Sequence, residues 1–223
     1  TAAELWEGKA TWTVVEAGQT AWMPPSPTGL VVRDTLSALI HPRRATQALA
    51  DAVIALGGFV ETEGSAEGQV VWATGWIGVA EIGGTGVKGQ AALLQYNAAG
   101  QPQLFADALH IIPHGDGTVA IGSTSERVFD DPTATDAALD DILVRAVAAF
   151  PVLADAQVLE RWAGMRPRSK SRAPVLGAHP SREGAYIANG GFKIGFGMAP
   201  KVGEVMADLI MEGRDAIPDD FRA

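Results

Sequence analysis

The sequence predicts an α+β fold in which an α/β part is interleaved with a mixed, mainly antiparallel sheet. Three observations carry this. Strand-type runs lead into glycine at 69–75 and again at 185–191, each associated with a helical pattern. Between them, 91–96, 107–112 and 118–122 read as short strands separated by turn residues. Hydrophobic residues make up 47% and charged residues 19% of the 223, enough to bury a core. The layout implies interleaved segments, with boundaries at 1–40, 41–84, 85–161 and 162–223.

In chain order, residues 1–30 are mixed, and Pro24-Pro25-Ser26-Pro27 reads as a turn or loop. Val31 to Ile40 is a strand or a short buried segment, and periodicity does not choose between them. Pro42 then opens a helix whose Ala45, Leu49, Ala52, Val53 and Leu56 recur at helical spacing, with Gly57-Gly58 as its left-handed end. Gln69 to Thr74 reads as a strand buried on both faces, stopped by Gly75. Gly115-Asp116-Gly117 turns a hairpin. Thr135 or Asp136 caps a helix with the stripe Leu139, Ile142, Leu143, Ala146, Val147 and Phe150, ended by Pro151. Gln157 to Arg161 and Ala185 to Ala188 read as strands. A last helix, opened by Pro200, carries Met198, Val202, Val205, Met206, Leu209 and Ile210 on one face and stops at Gly213. The Asp219-Asp220 tail is expected to fray.

Net charge is −9, which argues against nucleic acid and anionic membrane surfaces as partners, and no apolar run approaches a membrane span. Absence of cysteine rules out disulfides and thiolate metal sites and is compatible with a reducing cytoplasm, the expected location. The sequence opens at Thr1 in mid-pattern, so a further segment upstream is expected. Self-association into a homo-oligomer is left open.

Several motifs point to chemistry only weakly. Gly84-Thr-Gly86-Val-Lys-Gly89 matches GxGxxG, but a strand-like run follows where a dinucleotide fold needs a helix, so a connecting loop is expected. His110 and His114 are four apart, yet Pro113 removes the helix that would align them, and no metal site is expected. Ser123-Thr124-Ser125 lacks a nucleophile elbow. Asp130, Asp131, Asp136, Asp140 and Asp141 are better explained by a helix start than by calcium. The basic set Arg161, Arg166, Arg168, Lys170 and Arg172 admits a solvated loop, a phosphate patch or a substrate anchor, and composition favours the loop. Arg166 differs because Trp162, Ala163, Met165 and Pro167 surround it. A guanidinium in apolar company needs an anion, and no acid lies between Arg161 and Arg182.

Trp162-Ala-Gly-Met-Arg-Pro167, Pro174-Val-Leu-Gly177 and Gly190-Gly-Phe-Lys-Ile-Gly-Phe-Gly-Met-Ala-Pro200 together resemble the closing signature of the D-amino acid oxidase and glycine oxidase family of FAD-dependent enzymes. His41-Pro-Arg-Arg, Val70-Val-Trp-Ala-Thr-Gly75, Val87-Lys-Gly-Gln90 and Gly122-Ser-Thr-Ser-Glu126 resemble earlier parts of the same family in order. The resemblance implies that 41–84 and 162–223 form FAD-domain parts, and 1–40 and 85–161 a substrate domain. It implies FAD as cofactor and oxidation of an amino acid or related amine at a CH–NH or CH–NH2 group, with oxygen reduced to hydrogen peroxide. Arg166 would hold the substrate carboxylate. Ala73, Thr74 and Gly75 would contact FAD, as would Gly190, Gly191, Phe192, Lys193, Ile194, Gly195, Phe196, Gly197 and Met198. His110 stands where members often carry tyrosine and Lys193 where some carry a second arginine, which makes both catalytic candidates. The family's ADP-binding strand–GxGxxG–helix is expected in an N-terminal segment of the same polypeptide. The link between Gly58 and Val70 is shorter than usual. The alternative is a non-catalytic interaction module, or inactive fragment, that keeps the substrate-domain fold without FAD.

Overall fold

The computed structural model describes Glu4, Trp6 and residues 8–223, so Thr1 lies outside the described residues. The chain forms two compact units: Thr1–Thr62, Gln90–Thr124 and Thr135–Trp162 in one, and Glu63–Gly89, Ser125–Ala134 and Ala163–Ala223 in the other. Residues 41–62, grouped by sequence with 63–84, cluster with the first unit.

The first unit begins with an antiparallel pair, β1 (Trp12–Glu16) and β2 (Leu30–Asp34). Leu36, Leu39 and Ile40 beyond it are exposed, so the stretch is strand followed by surface chain rather than a buried segment. Helix α1 (Pro42–Ala55) follows His41, and Gly57 takes φ +86°, the left-handed end its glycines predict. None of its residues is buried, and Leu49, Val53 and Ile54 face solvent. Helical periodicity gave its form correctly, while its apolar stripe stays at the surface of this unit.

A five-stranded sheet has the order β5-β6-β7-β4-β8, where β4 is Thr85–Gln95, β5 Leu104–Ala106, β6 Leu109–Pro113, β7 Thr118–Gly122 and β8 Gln157–Arg168. Strand β6 pairs antiparallel with β7 around the expected turn, closed by the His114 N–H bond to the Thr118 carbonyl at 2.8 Å. The Gly84–Gly89 motif is not a loop beyond its first residue: Thr85 onward is strand β4, which runs unbroken through the β-type residues up to Gln95.

Helix α3 (Ala137–Ala149) takes Asp136 as its cap, the side chain accepting the Ala138 N–H at 2.9 Å. Gln90, fully buried, completes the cap: its amide donates to Asp136 at 2.8 Å and its oxygen accepts the Asp136 N–H at 2.8 Å. The stripe Leu139, Ile142, Ala146 and Phe150 packs with Leu109, Ile111, Val119 and Ile121 of the sheet, forming the core of this unit with Trp22 and Leu153. Trp22 satisfies its indole N–H on the Pro102 carbonyl at 2.8 Å.

The second unit holds a three-stranded sheet, β3-β10-β9, with β3 Val71–Trp72, β9 Val175–Ala178 and β10 Tyr186–Asn189. Strand β3 is parallel to β10, as a crossover layout requires, but it is two residues long and Val71 is exposed, not buried on both faces. Gly75 does more than stop it. With φ +65° it turns the chain straight into a helix α2 (Gly75–Glu81) that its sequence hides behind a short, glycine-interrupted pattern. Helix α4 begins at Gly195, five residues before the expected start, and runs to Glu212 with Gly213 left-handed beyond it. Pro200 lies inside it; a proline there removes only its own bond to the Phe196 carbonyl, and the Met198 N–H still reaches the Ile194 carbonyl at 3.0 Å. Val205 and Met206 pack with Leu176 and Ile217. The tail is pinned rather than frayed, because Arg222 bonds Asp215 and Asp219 and the Ala223 N–H bonds the Leu176 carbonyl at 3.0 Å.

At the hairpin of the first unit, the rings of His41 and His114 stack at 4.1 Å. Burial, then the nearby charges of His41 and Arg44, hold the His114 pKa below 6.5 against the pull of Asp116. The unfolded chain therefore binds this proton at higher pH than the folded chain, and stability falls as pH drops through the unfolded value. Going from about pH 7.5 to about pH 5.5, the urea midpoint is expected to fall more in wild type than in His114→Gln. Parallel falls in the two would remove His114 as the cause.

Candidate functional site

The second unit brings most of the sequence-predicted residues together through two hydrogen-bonded links, one made by a side chain and one by backbone. The first joins the β3–α2 turn to the glycine turn after β10. Asn189, 9% exposed, donates from its amide to the Gly75 carbonyl at 2.9 Å and accepts the Gly190 N–H at 2.8 Å. Gly75 follows Ala73 and Thr74, so all three expected strand-end positions lie beside the start of Gly190–Met198. This is the carboxyl edge of the parallel pair, where open α/β sheets place their ligands. Asn189 was missed by sequence, and only its place at the end of a strand pattern hinted at it.

The second link joins the glycine turn to β8. The Phe192 N–H bonds the Pro167 carbonyl at 3.2 Å, and Arg168 bridges Gly191. Arg166 stands one residue from Pro167. Its guanidinium lies flat against the α-carbon of Gly89, since a Cβ there would come within 2.2 Å of Nη2 and 2.3 Å of Nη1. Nη1 also reaches the Lys88 carbonyl at 3.4 Å. Half-buried, Arg166 has its pKa lowered by burial and partly restored by the charge of Glu126. The anionic company expected for this arginine thus comes from Glu126, 40 positions upstream and outside the stretch between Arg161 and Arg182.

Backbone in the glycine turn is open. Gly190 takes φ +80°, and a Cβ at Gly191 would meet the Gly195 α-carbon at 2.8 Å, so that approach requires glycine. Apart from the helix's own nearby backbone, no atom of the described residues lies within 4 Å of a Cβ built on Gly195 or Gly197, at the first turn of α4. That turn has no side-chain cap and no acidic residue, so its N–H groups and the helix dipole are left for a negative partner. Phe192 has φ +44°, Lys193 is exposed with Nζ 5.7 Å from the Phe192 ring, and Ile194 and Phe196 are exposed.

His110 belongs to the first unit, exposed on β6 with its ring 4.7 Å from that of Phe105. Ser169 and Ser171 bond each other and the Ala173 region, which accounts for them as loop residues. Among the described residues no group of His, Asp and Glu is arranged to hold a metal ion, and no helix is long and apolar enough to cross a membrane.

An open glycine turn leading into an uncapped helix, at the carboxyl edge of a parallel strand pair, suits the binding of a flat, negatively charged cofactor. Residues 2–209 match the family of FAD dependent oxidoreductases, and the chain belongs to that family. Glycine oxidase of Pseudomonas aeruginosa is 37% identical over 134 residues, 60% of this chain and 36% of that protein. Glycine oxidase of Pseudomonas putida is 32% identical over 162 residues, 72% of this chain and 43% of that protein. The chain therefore spans well under half the length of these curated relatives. The crystal structure of glycine oxidase from Bacillus cereus is 28% identical, covering 66% of this chain and 43% of that one, with a TM-score of 0.58. That of iminodiacetate oxidase from Chelativorans sp. BNC1, at 20% identity, shares the fold, with a TM-score of 0.81 over 95% of this chain and 67% of that one.

The residues present fit the flavin end of the family's cofactor. A planar ring needs backbone it can approach, and Gly195 and Gly197 present it. A ring that gains negative charge on reduction suits a helix N-terminus without a carboxylate. Replacing Asn189 by alanine is expected to lower stability by about 1–3 kcal/mol, since the part-buried Gly75 carbonyl and the buried Gly190 N–H both lose their partner. A denaturant midpoint equal to wild type would show that other groups join the two turns.

Proposed function

We propose that the protein oxidises a small amino acid or amine carrying a carboxylate, with FAD, as part of a polypeptide that also contributes an ADP-binding segment. The observation that carries this is the placement of Arg166: its guanidinium rests on Gly89, and its strand is bonded through Pro167 to Phe192 in the open glycine turn. A planar two-pronged cation there matches the geometry of a carboxylate. Likeness to the glycine oxidases supports the substrate class.

FAD, when bound, would supply a hydride acceptor at N5 and, on return of the electrons to oxygen, hydrogen peroxide. Ala73, Thr74, Gly75 and the backbone from Gly190 to Met198 would hold it, with the free N–H groups of α4 facing its electron-rich edge. In this reading Arg166 binds and orients the substrate, so that the α-hydrogen is presented without a dedicated base, and catalysis rests on orientation. Lys193, exposed on the glycine turn, would add a second positive charge for a longer or doubly charged substrate. His110 would act from the substrate domain as a specificity residue, and 1–40 with 85–161 would make up that domain.

Two measurements test this. The purified full-length protein is expected to be yellow with flavin absorbance and to release peroxide from glycine or an N-alkylglycine. Colourless protein that takes up no added FAD would instead support the non-catalytic module. Arg166→Ala is expected to lose on the order of 2–5 kcal/mol in kcat/KM for the carboxylate substrate. Unchanged kcat/KM would remove Arg166 as the anchor.

A further inference from the structure

The sequence carries two asparagines, Asn97 and Asn189. Asn97 is exposed and precedes Ala98, and its oxygen accepts the Ala99 N–H at 3.2 Å. Asn189 precedes Gly190, which has no side chain to shield its backbone nitrogen. That nitrogen donates to Oδ1 of Asn189 itself at 2.8 Å, so it already lies against the carbonyl group of the side chain. A backbone nitrogen brought to the carbonyl of the preceding side chain is what an asparagine needs to close to a five-membered imide. Holding the two groups together supplies the orientation that a mobile chain lacks. Within a strand the ladder would claim this N–H, but β10 ends at Asn189 and Gly190, at φ +80°, opens the turn.

We propose that Asn189-Gly190 is a site of spontaneous deamidation, and that the conversion unties the β3–α2 turn from the glycine turn. The Gly190 nitrogen forms a bond to Cγ, the Cγ–Nδ2 bond breaks, and Nδ2 leaves as ammonia with the proton that Gly190 gives up. Water then opens the imide at either carbonyl, leaving aspartate or isoaspartate, and nothing is oxidised or reduced. Both products lose the amide donor that holds the Gly75 carbonyl at 2.9 Å, and aspartate sets an oxygen against that oxygen. Isoaspartate also lengthens the main chain by one carbon, just before the turn whose Phe192 N–H reaches the Pro167 carbonyl. Either product brings a negative charge to the entry of the glycine turn. That charge opposes the one a bound flavin gains on reduction, a consequence that rests on the proposed function.

The test ages the full-length protein at mildly acidic and mildly alkaline pH without added flavin. Samples are digested with trypsin for mass spectrometry, and thermal melts are taken in parallel. Asn189 falls in peptide 183–193 and Asn97 in peptide 89–127, so each reports on its own. Peptide 183–193 is expected to gain the mass of an amide-to-acid exchange, as a mixture of aspartate and isoaspartate, ahead of peptide 89–127. The rate is expected to rise with pH, because the attacking nitrogen must shed its proton, and the melting temperature to fall in step with conversion. Asn189→Asp, which carries the first product from the start, is expected to melt below wild type. Asn189→Gln closes no five-membered ring and is expected to keep its own melting temperature on ageing. Should either variant fail to fold, the wild-type peptides and melts decide alone. An unchanged 183–193 after 89–127 has converted, or conversion without isoaspartate, overturns the site, and conversion at constant melting temperature overturns the untying. Flavin absorbance after adding FAD to aged protein tests the underlying reading separately. Less flavin is expected as conversion proceeds, whereas full uptake by converted, destabilised protein would leave the modification standing and remove the glycine turn from the flavin's contacts.

Discussion

The two-residue parallel contact between β3 and β10 is the constraint on which the second unit depends. A parallel pair has both carboxyl ends on one edge, so the chains leaving Trp72 and Asn189 depart side by side. Each departs through a glycine in the left-handed region, Gly75 on one side and Gly190 on the other. With so short a ladder, alignment of the two turns cannot come from strand pairing alone. Asn189 supplies it, offering its amide N–H to one turn and its oxygen to the other. Packing is tight there as well, since a Cβ on Gly78 would meet the Thr74 hydroxyl at 2.0 Å and the Asn189 amide at 3.2 Å.

Charge is distributed around this frame in two different ways. At the surface, Arg182 bonds Glu81 and stacks on Trp72, and Arg222 joins Asp215 and Asp219, pairs open to water and worth little individually. Around Arg166 the environment is drier, and a charge placed there keeps more of its influence. That contrast explains why one arginine of the five basic residues between Arg161 and Arg172 stands out. Arg161 is bonded to Asp140 on the surface of the other unit and is spoken for.

How far the sequence could be read follows the range of the forces involved. Helix α3 was legible from end to end because its cap, its stripe and its terminating Pro151 are all local. The hairpin at Gly115–Gly117 was legible for the same reason. Helix α1 shows the limit: period and caps gave its span, yet Leu49 and Val53 are exposed, because periodicity describes a face and not what covers it. The Asp219-Asp220 tail looked solvated by composition, whereas Ile217 at 3% exposure and the Arg222 pairs hold it down. Of the site, the glycine turn and Arg166 could be picked out by their company. Glu126 and Asn189 could not, since each meets a partner at least 40 residues away. The GxGxxG match carried no information, because phosphate binding needs a helix after the glycines and β4 is a strand.

The same reasoning ranks the proposed substrate contacts. Arg166 projects from a strand, its head seated on a glycine and its neighbour bonded to the glycine turn, so little freedom is left to lose when a ligand arrives. Lys193 is a long, exposed side chain on a turn, its Nζ 5.7 Å from the Phe192 ring, and most of its rotamer entropy is still to be surrendered. A pre-organised fork discriminates by geometry, and a mobile ammonium by charge alone. In the proposed reading, selection for the carboxylate would fall to Arg166, and Lys193 would at most extend the range of anions accepted.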